Sequence, residues 1–135
     1  MRLKPFAHRR AAHLRFGRRG ERLAASLLRD LGLVILARNF RDRRGEIDIV
    51  ARENETLCFV EVKTRRRPWR GRPADAVGAH KRKTVARAAA RYRREIANPP
   101  ILYRYDIVEI VFNGRRLRDV RYWRNAFGEP LRTRF

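Results

Sequence analysis

Cysteine is nearly absent from this chain and acidic side chains are few beside basic ones, and each shortage narrows what the protein can be. The single cysteine, Cys58, excludes an intramolecular disulfide and any zinc site built from several thiolates. His8 and His13 have no acid or thiol close by in sequence, so they do not read as metal ligands. No run is long and apolar enough for a transmembrane helix or the core of a secretory signal, so a cytoplasmic location is expected. Internal repeats, low-complexity linkers and a glycine-rich phosphate loop are missing as well. Fourteen acids stand against thirty-five lysines and arginines, for a net charge of +21 and a pI of about 11.7. That surplus cannot pair off internally and must face solvent or a polyanion. Nucleic acid is the expected partner, because neutralising phosphates releases counterions. An anionic membrane is the rival, but no strongly amphipathic segment with bulky apolar anchors supports it. At 135 residues the chain is long enough for one domain with a real core.

What is there centres on two runs, Gly45-Glu46-Ile47-Asp48-Ile49-Val50 and Phe59-Val60-Glu61-Val62-Lys63. Both are rich in β-branched residues and alternate in character, as strands do. If Asn54-Glu55 is a two-residue hairpin loop, Glu53 pairs with Thr56 and Asp48 falls opposite Glu61. Directly opposed Cβ atoms lie about 4.5–5.5 Å apart. Two carboxylates that close repel unless a proton or cation lies between them. Lys63 leaves the same face two residues later. Val50 and Phe59 share that face, so it is expected to be partly buried, and Ile47, Ile49, Val60 and Val62 are expected on the other. A cross-strand salt bridge on a solvated face would use the same residue types, and a one-residue slip in register would part the two acids. In this register Glu46 faces Lys63.

Around this centre, residues 1–16 read as a basic, flexible arm, 17–127 as the domain and 128–135 as a basic tail. Gly20 to Leu31 reads as a helix, with Leu23, Ala24, Leu27, Leu28 and Leu31 as its apolar stripe and Gly32 at its end. Glu21 sits at the edge of that stripe, placed either to favour the helix start or to lean over the sheet. Leu33 to Asn39 is a strand. Thr64 to Pro73 is a loop dense in arginine. Ala74 to about Ile96 reads as one long helix, ended by Asn98-Pro99-Pro100. Ile101 to Phe112 and Leu117 to Trp123 read as strands joined at Asn113-Gly114. The candidate nucleic-acid surface comprises Arg65, Arg66, Arg67, Trp69, Arg70 and Arg72 of the loop with Lys81, Lys83 and Arg87 of the long helix. Trp69 either stacks on an unpaired base or packs the loop on the core. The element order implies an α/β or α+β sandwich with a mixed sheet.

This order, with Asp48 and Glu61-Val62-Lys63, resembles the PD-(D/E)xK nuclease superfamily and its restriction-endonuclease-like fold. More closely, the chain resembles the YraN family of bacterial proteins, akin to archaeal Holliday-junction resolvases. The resemblance spans about residues 17–127. It is carried by Gly20-Glu21 with Ala24 and Leu28, Arg38-Asn39, Gly45 to Val50, Phe59 to Lys63, Lys81, Ala89, Arg104-Tyr105-Asp106-Ile107-Val108 and Asn125-Ala126-Phe127. Tyr105 stands where that family more often has phenylalanine. The glutamine that many superfamily nucleases carry in the second core helix has no evident counterpart. The resemblance implies an α/β fold with an αβββαβ core, a mixed sheet flanked by helices and an extra C-terminal strand. It implies Mg2+ or Mn2+ held by Asp48, Glu61 and the backbone carbonyl of Val62. Lys63 would position water or stabilise transition-state charge, and Glu21 would assist. The implied activity is hydrolysis of DNA, branched or junction DNA included, by a protein able to work as a homodimer, with DNA favoured over RNA. The alternative is a catalytically silent nucleic-acid-binding protein on the same fold.

Overall fold

A computed structural model describes the backbone of residues 5–128 and the side chains from residue 16 onward. His8, His13 and the end of the basic tail lie outside the described side chains. Helix α1 (Pro5–Asp30) is followed by strands β1 (Val34–Asp42), β2 (Gly45–Glu53) and β3 (Thr56–Arg65). A short 3-10 turn (Pro73–Ala76) leads into helix α2 (Ala79–Glu95), and strands β4 (Tyr103–Asn113) and β5 (Arg116–Phe127) close the fold. The five strands form one sheet in sequence order. Only the β3–β4 pair is parallel, because α2 provides the crossover; the other neighbours are antiparallel.

The expected mixed α/β architecture is therefore present, with differences in detail. The first helix begins fifteen residues before Gly20. The expected single helix from Ala74 is broken: the 3-10 turn ends at Ala76, Val77 is extended, and the extended Gly78 caps α2. Arg82 ties the two pieces, its guanidinium donating to the carbonyls of Val77 (2.9 Å) and Ala74. In the last hairpin Asn113 pairs with Arg116, so the loop residues are Gly114 and Arg115, and Gly114 takes the left-handed conformation (φ +60°) that glycine tolerates without cost.

Each sheet face buries its own core. Ala24, Ala25 and Leu28 of α1 pack on Ile49, Ala51, Cys58, Val60, Val108 and Ile110. Val85, Ala88 and Ala89 of α2 pack on Ile47, Val50, Leu57, Phe59 and Ile107. Val50 and Phe59 thus lie on the face expected for them. Ile47 does not: it packs under α2, away from Ile49. In a regular strand residues i and i+2 share a face, so β2 must rotate at Asp48. The strand beside it does the same, since Ala37 and Phe40, three apart, both join the α2 side. Asn39 lies between them at φ +52°, across from Asp48 between the pairs Arg38↔Ile49 and Phe40↔Ile47. Asparagine is among the few residues other than glycine that tolerate this conformation. Gly45 then lets β2 begin hard against α2, where a Cβ would stand 2.5 Å from the carbonyl oxygen of Thr84.

Candidate active site

The loop Asn54-Glu55 has the predicted length, with Glu53 paired to Thr56, and this sets the register for everything downstream. Ladder pairing between β2 and β3 runs as far as Ile49↔Val60. One step beyond, where Asp48 and Glu61 are next in register, a side chain replaces the backbone partner: the Val62 N–H donates to Asp48 Oδ2 at 2.8 Å. A residue's N–H and C=O leave the same edge of a strand, so the Val62 carbonyl also faces this gap.

Glu61 is buried, on the α2 side of the sheet. Its Oε1 is flanked by two ammonium groups, Lys63 Nζ at 3.5 Å and Lys81 Nζ at 3.6 Å. Its Oε2 is buried with no hydrogen-bond partner among the described residues. An unsatisfied buried carboxylate oxygen is costly. Burial pushes the Asp48 carboxyl up to about 8, and the neighbouring charge of Glu61 adds to this; the Val62 N–H and Lys81 pull the other way. Glu21 comes from α1, where Gly20 allows close approach to Thr64 of β3. Its carboxyl is also raised, by burial and by the charges of Glu46 and Glu61, against Arg38 and Asn39. With its amide nitrogen turned to the acids, Asn39 donates to Glu21 Oε2 at 3.1 Å and to Glu46 Oε1 at 3.2 Å.

The structure thus gathers Glu21, Asp48, Glu61 and Lys63 at the end of the sheet where β2 begins and β3 ends. Lys81, expected on the nucleic-acid surface, lies at Glu61, from the first turn of α2; the resemblance singles out Lys81 but attaches no such contact to it. Asn39 is a further addition, singled out in the sequence only within the Arg38-Asn39 pair of the resemblance and with no role attached. Glu46 does not meet Lys63: its cationic partner is Arg41, at 3.5 Å. Among the described residues, no three Asp, Glu, His or Cys side chains form a ready ligand set. The donors available to a cation are therefore two carboxylates and a carbonyl, hard oxygens suited to Mg2+ or Mn2+. The orphaned Glu61 oxygen and the raised Asp48 carboxyl fit such an ion, since both are relieved by a positive charge between them.

The arginine-rich loop is held by Glu109, a buried carboxylate on β4. Trp69 N–H donates to Glu109 Oε2 at 3.0 Å, Arg65 approaches the same oxygen at 3.3 Å, and Arg121 Nη2 reaches Oε1 at 2.7 Å. Trp69 is partly buried, with Arg65 over its ring at 4.9 Å and its indole N–H donating to the Arg72 carbonyl. Arg72 pairs with Asp75. Arg66, Arg67 and Arg70 are exposed, as are Lys83 and Arg87 on α2.

A second charged cluster holds β4 and β5 together. Asp106, fully buried, accepts from Arg104 Nε at 3.0 Å, from the Tyr122 hydroxyl at 2.6 Å and from the Asn125 N–H at 2.8 Å. Arg104 and Arg124 also bind Glu53, and hydrogen bonding to Arg124 above all holds the Glu53 carboxyl down at about 2. Asp106 thus ties the Arg104-Tyr105-Asp106 stretch to Asn125-Ala126-Phe127, and the Tyr105 and Phe127 rings stack at 5.2 Å.

The family described as "Uncharacterised protein family UPF0102" matches residues 20–110, a span holding Glu21, Asp48, Glu61, Lys63 and Lys81. The chain is 41% identical over 116 residues to a UPF0102 protein of Chlorobium phaeobacteroides, which covers 82% of this chain and 92% of that relative. It is 46% identical over 95 residues to a UPF0102 protein of Nocardia farcinica, covering 70% of this chain and 75% of the relative.

Proposed function

The chain belongs to the uncharacterised protein family UPF0102, and from the geometry of its buried acids we propose that it is a metal-dependent endonuclease hydrolysing phosphodiester bonds of DNA, with branched DNA among the candidate substrates. The observation that carries this reading is Glu61: buried, one oxygen between two lysines, the other without a partner, next to an Asp48 whose carboxyl favours its proton. A site that only bound DNA would gain nothing from buried acids, which repel phosphate.

Asp48 and Glu61 would hold Mg2+ or Mn2+ with the Val62 carbonyl as a third donor. Such an ion, when bound, polarises the scissile phosphate and lowers the pKa of an attacking water. The Val62 N–H fixes the Asp48 carboxylate so that it need not reorganise. Lys63 and Lys81 bring two ammonium groups to one edge of Glu61. There they limit repulsion between the acids and an incoming phosphate, and offer positive charge to the oxygens on which negative charge grows. Glu21, held by Asn39, supplies a partly buried carboxyl able to orient or accept a proton from water.

The test is cleavage of single-stranded, duplex, flap and four-way-junction DNA by the purified protein with Mg2+, with Mn2+ and with chelator. Metal-dependent products that disappear in Asp48→Ala and Glu61→Ala, with DNA affinity retained or raised, are expected. A folded wild type that binds DNA but cleaves no member of the panel with either metal refutes the nuclease reading in favour of a silent binding protein.

A further inference from the structure

A cleft of about 660 Å3 opens where α1 passes β1, lined by Arg18, Arg19, Glu21, Arg22, Arg38 and Asn39. Its arginines differ in their engagement. Arg19 is anchored: it donates to the Arg115 carbonyl at 2.5 Å and lies over the Phe112 ring at 4.7 Å. Arg18, Arg22 and Arg38 are exposed, and among the described residues none of them enters an ion pair. Arg18 and Arg22, four apart on a helix, leave one face together. Arg18, Arg22 and Arg38 outnumber the one acid of the cleft, Glu21, and a polyanion relieves the repulsion among them while releasing counterions. By contrast, two of the loop arginines, Arg65 and Arg72, already spend their charge on Glu109 and Asp75.

The cleft also leads somewhere. Glu21 forms part of its lining, and the same carboxyl feels the charges of Arg38, Glu46 and Glu61. Asn39 bridges Glu21 and Glu46 at the strand rotation beside Asp48. We infer that the cleft between α1 and β1 is a track for the phosphodiester backbone of a DNA strand, with Arg18, Arg22 and Arg38 gripping phosphates and Glu21 and Asn39 marking the passage to Asp48 and Glu61. The proposal rests on the nuclease reading for its direction, but binding along the track needs neither metal nor turnover.

The experiment is therefore done in chelator. Fluorescence anisotropy with a labelled single-stranded DNA compares wild type, the triple variant Arg18→Ala/Arg22→Ala/Arg38→Ala, and a control triple, Arg115→Ala/Arg116→Ala/Arg118→Ala, that removes the same charge from the exposed β4–β5 hairpin. The cleft triple is expected to lose at least tenfold in affinity and to shallow the log–log salt slope by about 2, at roughly 0.7 per lost contact. The control triple is expected to lose less than threefold. Arg22→Glu alone gives a second reading at one exposed side chain, and melting temperatures confirm that each variant is folded. Equal losses in the two triples, or none in the cleft triple, overturn the track. A selective loss in a protein that never cleaves DNA upholds the track and counts against the nuclease reading alone.

Discussion

Replacing Asp48 by asparagine tests the site without any substrate. In the folded chain the Asp48 carboxyl is pushed from 3.8 to about 8 by burial and the Glu61 charge. The folded state therefore binds a proton across this interval that the unfolded state releases. Stability due to the protonated carboxyl is fully present below pH about 4 and is lost as the pH rises through about 8. At about 1.4 kcal/mol per pH unit the whole interval corresponds to roughly 5–6 kcal/mol. The side chain keeps partial solvent contact, and screening and relaxation reduce the expected loss to about 1–3 kcal/mol. Asparagine keeps an oxygen to accept the Val62 N–H and carries no charge, so it escapes the loss. Asp48→Asn should be more stable than wild type by about 1–3 kcal/mol at pH 8.5, with the difference fading below about 0.5 kcal/mol at pH 4.5. Urea unfolding in metal-free buffer, followed through the fluorescence of Trp69 and Trp123, measures both. Comparing variant with wild type at each pH removes contributions from acids remote from Asp48. An Asp48→Asn protein that is less stable at pH 8.5, or shifted equally at both pH values, refutes the account of Asp48 as a carboxyl that holds its proton.

Three further outcomes are expected. Lys63→Ala, at a partly buried side chain, should lower the cleavage rate at least tenfold with little change in DNA affinity or melting temperature; cleavage at the wild-type rate removes Lys63 from the chemistry. Gly45→Ala places a Cβ 2.5 Å from the Thr84 carbonyl, so it should cost about 1–3 kcal/mol in urea unfolding as α2 is forced off β2; an unchanged midpoint would mean that the helix shifts freely. Asp106→Ala leaves Arg104 without its buried partner and should cost about 3–5 kcal/mol, and a cost under 1 kcal/mol would show that Glu53 alone satisfies the guanidinium.

Much of the site was legible in the sequence because it is local. A two-residue loop at Asn54-Glu55 and a side-chain period of two are enough to bring Asp48 and Glu61 next in register and to send Lys63 out on the Glu61 face. The helices were legible as apolar stripes for the same reason, although their ends were not: the turn at Pro73–Ala76 and the cap at Gly78 interrupt a stretch whose composition still reads as helix. The side on which Ile47 packs does not follow from alternation, which fails at one step, where Asn39 turns to positive φ beside Asp48.

The remaining parts of the site come from distant segments. Glu21 reaches the acids because Gly20 lets α1 settle on Thr64, forty-four residues later in the chain. Lys81 meets Glu61 because Arg82 ties the start of α2 to the turn before it. Glu109 holds the arginine-rich loop from a strand forty residues beyond Trp69, and Arg18 and Arg22 share a cleft with Arg38 only because α1 crosses β1. Local pattern determines which face of its own element a side chain takes. Which faces then meet is decided by packing two helices on opposite sides of one sheet, and no periodicity within a segment carries that information.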